Sequence, residues 1–389
     1  MNRLSKRSAV EPYRAMDIMA GAFALEREGR RIVHMAVGEP GAPVPGPVRE
    51  AAAAALSNGR IRYTEALGIP ALRRRIAAYY GDAHGLDVSP DRIVVTTGSS
   101  AAFNLAFLSL FDVGDRVGVS TPGYPPYRNI LQTLGLEIVD LPTEAETRWI
   151  VTPEMIAGAH SRKPLQGLIL ASPNNPNGTV IAPDDLRAIV DTCRELGIRL
   201  IMDEIYHGLV YGFPAKSALA FSDGVIVVNS FSKYYCMTGW RIGWMVVPAE
   251  MTRSLECLHQ NLAISVNALS QQAAIAAFDA TDELEAVKAG YAANRELLLR
   301  ELPKAGLGDL HPVDGAFYVY ANVHRFTNDS VDFARRLLVE AGVAVAPGID
   351  FDPARGANYV RLSFAGTHSD MAEGADRIAD FLSRTGAMG

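Results

Sequence analysis

The sequence predicts an α/β protein, with a large, mostly parallel sheet between helical layers and a smaller α/β unit. Three observations predict it. From about residue 45 onward, helical stretches alternate with short strand-like runs. Several of these runs are apolar throughout rather than alternating, the mark of strands covered on both faces. Beyond about residue 303 the pattern changes to a shorter set of strands and helices. Repeated strand–helix–strand units imply right-handed crossovers and hence parallel neighbours.

The elements follow in order. The opening stretch MNRLSKRSAVEPYRAMDIMAGAFAL is basic and then partly apolar, but Glu11, Asp17 and Glu26 interrupt it with the period of an amphipathic helix. It therefore reads as a helix rather than a secretory signal. VPGPVREAAAAALSNG opens on prolines and closes on glycine, the punctuation of a helix, and PALRRRIAAYYGDAHG repeats the pattern. Strand-like runs come next: RIVVTTG, RVGVST, LEIVDLP, GLILASP, RLIMDEIY, VIVVNSF and IGWMVV. One long helical stretch is expected over roughly 268 to 303, then GAFYVYANV, a helix, VAVAPG, YVRLSF and a last helix. The predicted division is an N-terminal segment (1–44) packing with a small C-terminal domain (291–389), around a large domain (45–290).

Bulk properties narrow the function. Hydrophobic residues make up 49% of the 389, enough for a substantial core. A net charge of −6 without a basic stripe argues against nucleic acid. Three cysteines, Cys193, Cys236 and Cys257, form no C-x-x-C pair, which favours a reducing compartment and no structural metal. No apolar run approaches the length of a membrane span. A cytoplasmic protein is expected.

In open parallel sheets ligands bind outside the carboxyl ends of the strands, so the candidate chemistry lies at those ends. VVTTGSSAAF carries Gly98, Ser99 and Ser100 into a helix start, where N–H groups and hydroxyls suit a phosphate or simply cap the helix. No G-K-[ST] follows, and no G-x-G-x-x-G appears after any strand, so neither a Walker loop nor a dinucleotide fold is supported. STPGYPPYRN holds Tyr124 in a proline-bracketed turn, either as plain turn structure or as a stacking ring. ASPNNPNGTV displays Asn174 and Asn175 on a stiff loop. IMDEIYHGLVY places Asp203 and Glu204 at a buried strand end, costly unless a cation waits there, with Tyr206 close behind. NSFSKYYCMTGWRIGW puts Lys233 and Arg241 beyond another buried strand. YVRLSF sets Arg361 inside an apolar strand, where its guanidinium needs an anion: a structural carboxylate or that of a ligand. A reactive lysine, a carboxylate, an anion cradle, a stacking ring and a carboxylate clamp together suit pyridoxal 5′-phosphate with an amino-acid substrate.

The ordered set SPNNPNG, DEIY and SFSKYYCMTGWRIGW, between VGEP (37–40) and RLSF, resembles the fold-type I pyridoxal-phosphate aminotransferases, class I/II, of the aspartate aminotransferase superfamily. The resemblance implies a homodimer with shared active sites that uses amino and 2-oxo acids in a ping-pong transamination. Lys233 would form the Schiff base and carry the proton, and Asp203 would pair with the pyridinium nitrogen. Tyr206 and Asn175 would bond the cofactor phenolate oxygen, and Tyr124 would stack on the ring. Gly98, Ser99, Ser100, Ser230 and Arg241 would hold the phosphate, joined by Tyr63 of the neighbouring subunit. Arg361 would clamp the substrate α-carboxylate, helped by Asn175 and the Gly38 backbone.

Two departures matter. Ser99 stands where the prokaryotic aspartate-specific branch carries a lysine for the distal carboxylate, and GEPGAPVP differs from the commoner G-E-P-D-F-x-x-P. A neutral or aromatic donor is therefore expected, unless Arg60, Arg62 or Arg128 supplies a substitute cation. Two rivals remain: a pyridoxal-phosphate lyase or decarboxylase on the same fold, and a non-catalytic aminotransferase-like sensor. The sensor would need a DNA-binding module ahead of the sheet, and only about 40 weakly basic residues precede it.

Overall fold

A computed structural model describes residues 4–386 apart from 60 and 213. Its strands are β1 (Val33–Met35), β2 (Ile93–Thr96), β3 (Arg116–Thr121), β4 (Glu137–Pro142), β5 (Gly167–Ala171) and β6 (Arg199–Asp203). They continue with β7 (Ile226–Ser230), β8 (Gly243–Val246), β9 (Tyr318–Asn322), β10 (Val343–Pro347) and β11 (Tyr359–Ser363).

Seven of them form one sheet in the order β2-β8-β7-β6-β5-β3-β4. The pairs from β4 across to β7 are parallel, and β8 alone runs antiparallel to both of its neighbours. Both faces are covered, as the unbroken apolar runs require. In β5, Leu168 and Leu170 enter one buried cluster while Ile169 between them enters the cluster on the other face.

The second sheet has the order β1-β10-β11-β9. β1 pairs parallel with β10, Val33 opposite Val343, so a strand from the start of the chain completes a sheet built from its end. The helix Arg14–Arg27 just before β1 has no cap from its own Tyr13. Asp350, in the turn after β10, caps it instead, accepting from the N–H groups of Arg14 at 3.2 Å and Ala15 at 2.9 Å.

One expectation is corrected. The stretch from 268 to 303 is two helices, Ala268–Ala277 and Thr281–Lys304, broken at Phe278 to Ala280. The Phe278 ring is drawn into a buried aromatic group with Phe231 at 5.3 Å and Tyr235 at 5.2 Å. Asp282 and Glu283 then open a new helix, where acidic side chains favour the N-terminal dipole.

Candidate active site

The carboxyl ends of the large sheet converge on a cavity of about 190 Å³. β6 ends on Asp203, Lys233 lies in the turn after β7, Tyr124 begins the turn after β3, and Asn175 sits on the loop after β5. The small sheet closes the far side with Arg361 from β11. Gly38, Ser99, Ser100, Tyr206 and Arg241 complete the expected residues that line it.

Three expected residues do not face the cavity. Gly98 stands behind its wall at the helix start, with φ of +73°. Ser230 is buried, its hydroxyl 3.0 Å from both Ser232 Oγ and the Ile242 carbonyl, and Ser232 faces the cavity in its place. Tyr63 lies off this cavity with 81% of its surface exposed.

The charged groups are tuned by burial and by one another. Burial pushes the Lys233 ammonium down to about 8, and the Arg361 guanidinium pushes the same way. Its Nζ donates to the Gly38 carbonyl. Burial pushes the Asp203 carboxyl up to about 6, opposed by hydrogen bonds from the Tyr127 hydroxyl and, at 3.0 Å, the Ile205 N–H. Asp203 joins no ion pair among the described residues, so its carboxylate faces the cavity without a cationic partner within bonding distance. Glu204 turns away from the cavity, accepting from the Ala218 N–H at 2.8 Å and the Ser217 hydroxyl at 3.1 Å. The two neighbouring carboxylates thus serve opposite sides of the turn.

Arg361 is 1% exposed. It donates to Asn175 Oδ1 at 2.8 Å and to the Ala36 carbonyl at 2.6 Å, and lies over the Tyr318 ring at 4.2 Å. Its Nε has no partner in the structure. A buried guanidinium with carbonyl-type partners and no carboxylate is left with its charge unanswered, which favours an anionic ligand over a structural ion pair.

Several lining residues escaped the sequence reading: Tyr13, Met16, Tyr127, Thr238 and Tyr318. Tyr127 carried a readable signal, since it lies three residues beyond Tyr124 on a helix and so shares its face. Tyr318 sits in an apolar alternating strand, and Tyr13 and Met16 are remote in sequence, so nothing local marked them. Of the substitute arginines, Arg62 and Arg128 do not line the cavity, Arg128 is paired with Asp140, and Arg60 lies outside the described residues.

Residues 30–378 match the model of the family described as aminotransferase class I and II. The chain is 50% identical over 385 residues, 98% of this chain and 99% of the other, to a valine–pyruvate aminotransferase of Mycobacterium tuberculosis. The chain belongs to the class I and II aminotransferases. An aspartate/prephenate aminotransferase of Thermus thermophilus is 33% identical over 99% of this chain and all of its own. A crystal structure of an aminotransferase from Mycobacterium tuberculosis superposes with a TM-score of 0.96 at 50% identity, covering 99% of this chain and 100% of that one. The protein is therefore a transaminase acting on amino and 2-oxo acids, and it depends on pyridoxal 5′-phosphate.

The residues present fit that cofactor. A Cβ added at Gly98 would stand 2.6 Å from Arg241 Nη2, and one at Gly243 would stand 3.1 Å from the Ser99 nitrogen. Both glycines keep the helix start and the guanidinium close together, a cradle for a phosphate. Asp203 would supply an unpaired anion for a cationic ring nitrogen, and Lys233 an amine for an aldehyde. Among the described residues no helix is long and apolar enough to cross a membrane, and no cluster of three or more His, Cys, Asp or Glu is placed to hold a metal.

Proposed function

We propose that this transaminase takes the amino group of a neutral or aromatic L-amino acid and passes it to a small 2-oxo acid, pyruvate or 2-oxoglutarate, through two half-reactions in one site. The observation that carries this reading is the tally of cations. Lys233, Arg241 and Arg361 are the basic residues lining the cavity among those described. Arg361 is committed to the α-carboxylate and Arg241 to the phosphate, which leaves none for a distal carboxylate. A second carboxylate bound there without a partner would cost several kcal/mol. The remaining wall includes Tyr13, Met16, Val37 and Tyr318 instead. The 50% identity to a valine–pyruvate aminotransferase supports the same reading.

Pyridoxal phosphate, when bound, supplies an aldehyde for the amino group and an electron-accepting ring. The chain's own groups do the rest. Lys233 Nζ, lowered to about 8, is a neutral amine above that pH and would take the proton from the substrate Cα. Asp203, held by Tyr127 and the Ile205 N–H, would offer its negative charge to the ring nitrogen. Tyr206 and Asn175 would donate to the ring's phenolate oxygen, and Tyr124 would stack on the ring. The Gly98–Ser100 helix start, Ser232 and Arg241 would hold the phosphate, and Arg361, Asn175 and Gly38 would orient the substrate.

The active form is a homodimer in which Tyr63 of one copy completes the phosphate site of the other. Support comes from an exposed apolar patch. Ile61 and Tyr63 lie on one segment, Leu262 and Ile264 on another, and Thr64 N–H joins the two through Ser265 Oγ at 3.3 Å.

The test is a donor series with pyruvate as acceptor. Valine, alanine and phenylalanine should exceed aspartate in kcat/KM, with parallel double-reciprocal lines. Aspartate in the lead would overturn the donor assignment, and intersecting lines would overturn the shared-site mechanism.

A further inference from the structure

One lining residue joins the two ends of the site. Tyr318 opens β9 and is 1% exposed. The register places it opposite Ser363, two residues from Arg361 and therefore on the same face of the sheet. Its ring lies under the Arg361 guanidinium at 4.2 Å, a cation–π contact in a buried setting. Its hydroxyl is 2.7 Å from the Tyr206 hydroxyl.

Two phenols at that distance own two protons, and only one can lie between them. Chemistry decides which. Burial drives both phenols up, so both keep their protons and stay neutral. In the role proposed above, Tyr206 donates its hydrogen bond to an oxygen anion in the cavity, which both residues border. Tyr206 then has no proton left for its neighbour, so Tyr318 donates and Tyr206 accepts across the 2.7 Å gap. The proton of Tyr206 is then free for the cavity.

The loop carrying Gly38 is shaped around this hydroxyl. A Cβ at Gly38 would fall 1.7 Å from Tyr318 Oη, and the Gly38 carbonyl accepts from Lys233 Nζ. The hydroxyl therefore sits where the cofactor side and the substrate side of the cavity meet.

We propose that Tyr318 is a positioning residue for both sides of the site: its hydroxyl donates to Tyr206, so that Tyr206 donates into the cavity, and its ring carries the Arg361 guanidinium. The inference rests on the roles proposed above for Tyr206 and Arg361. It divides into two parts that substitutions separate.

The first readout is the pH midpoint at which the visible band of the bound cofactor changes. Tyr206→Phe should raise it, by loss of a donor to the phenolate oxygen. Tyr318→Phe should raise it too, by about half a unit to one unit, the scale of a single neutral hydrogen bond. In the double variant the second change should add nothing, because Tyr318 acts through Tyr206. Additive shifts, or an unmoved midpoint in Tyr318→Phe, would overturn the hydroxyl's role. An unmoved midpoint in Tyr206→Phe would overturn the reading of Tyr206 itself, and the relay with it.

The second readout is the KM for the amino-acid donor. Tyr318→Phe keeps the ring and should leave KM within about twofold, while Tyr318→Leu removes it and should raise KM about tenfold. Equal KM values in the two variants would overturn the ring's role.

Discussion

The end of the site proposed to meet the cofactor and the end proposed to meet the substrate are built differently. The cofactor end is a set of turns at the carboxyl ends of adjacent strands of one sheet, each carrying its functional side chain within a few residues of the strand. Asp203 closes β6, Lys233 follows β7 by three residues, and Gly98 follows β2 by two. The substrate end is assembled from three distant parts of the chain: Tyr13 and Met16 before β1, Tyr318 in β9, and Arg361 in β11. The first arrangement is local and rigid. The second depends on β1 joining β10 and on Asp350 capping a helix some 335 residues earlier. Most of the groups proposed to hold the cofactor are therefore set by the large sheet, whereas the shape of the proposed substrate pocket depends on how the two ends of the chain pack together. That contrast allows donor preference to change while the cofactor machinery stays fixed.

The comparison is broken most severely at Lys233. Lys233→Ala removes both the amine that meets the aldehyde and the base, and kcat should fall by about 10⁴ or more. The pH-sensitive visible band should vanish together with activity. Retention of that band in the variant would remove Lys233 from the centre of the cofactor end.

Arg361 gives the next largest effect, and it falls on the substrate end only. Arg361→Leu deletes the buried charge over Tyr318 and the donor to Asn175. Truncating one partner of a buried, hydrogen-bonded charge pair costs about 2–5 kcal/mol, so kcat/KM should fall by roughly 30-fold to several thousand-fold. The loss should be similar for every donor, because all share the α-carboxylate, and cofactor affinity should change little. A loss confined to one class of donor would place the clamp elsewhere.

The same contrast explains what the sequence made legible. The alternation of strands and helices, the apolar strands and the clustering of Asp203, Asn175, Lys233 and Arg241 at strand ends all reflect local chemistry, readable within windows of ten residues. Arg361 was readable because a guanidinium inside an apolar strand is anomalous in itself. Tyr318 was silent because a tyrosine in a buried strand is ordinary, and its function arises from partners 112 and 43 positions away. Ser230 and Ser232 show the limit of motif reading: both are buried serines in the same turn, and only the path of the backbone turns Ser232 toward the cavity and Ser230 into the turn. The break at Phe278 was missed for a similar reason. Helical period continues through it, and the force that interrupts the helix is an aromatic cluster made by residues far along the chain.

The smallest effect lies one layer behind the cofactor end, at Tyr127. Its hydroxyl donates to Asp203 Oδ2, and its ring packs edge-on against Phe103 at 5.0 Å and Tyr124 at 5.2 Å. Tyr127→Phe keeps those ring contacts and removes the donor alone. The Asp203 carboxyl already stands above its ordinary value, at about 6, so its ionised form is present above that pH and is lost as the pH falls through it. A protonated carboxyl cannot balance a cationic ring nitrogen, so cofactor affinity in the wild-type chain should weaken as the pH drops below about 6. Removing the phenol donor takes away a bond to the charged form, worth about 1.5–3 kcal/mol, and pushes the carboxyl higher. The acid limb of cofactor affinity, measured on cofactor-stripped protein, should then move upward by about one to two pH units, with affinity at pH 8 changed far less. If the limb stays in place, Ile205 N–H alone is sufficient to hold Asp203, and the cofactor end is as local as its turns suggest. A shift would show that even this end depends on a second layer, supplied by the helix that also carries Tyr124.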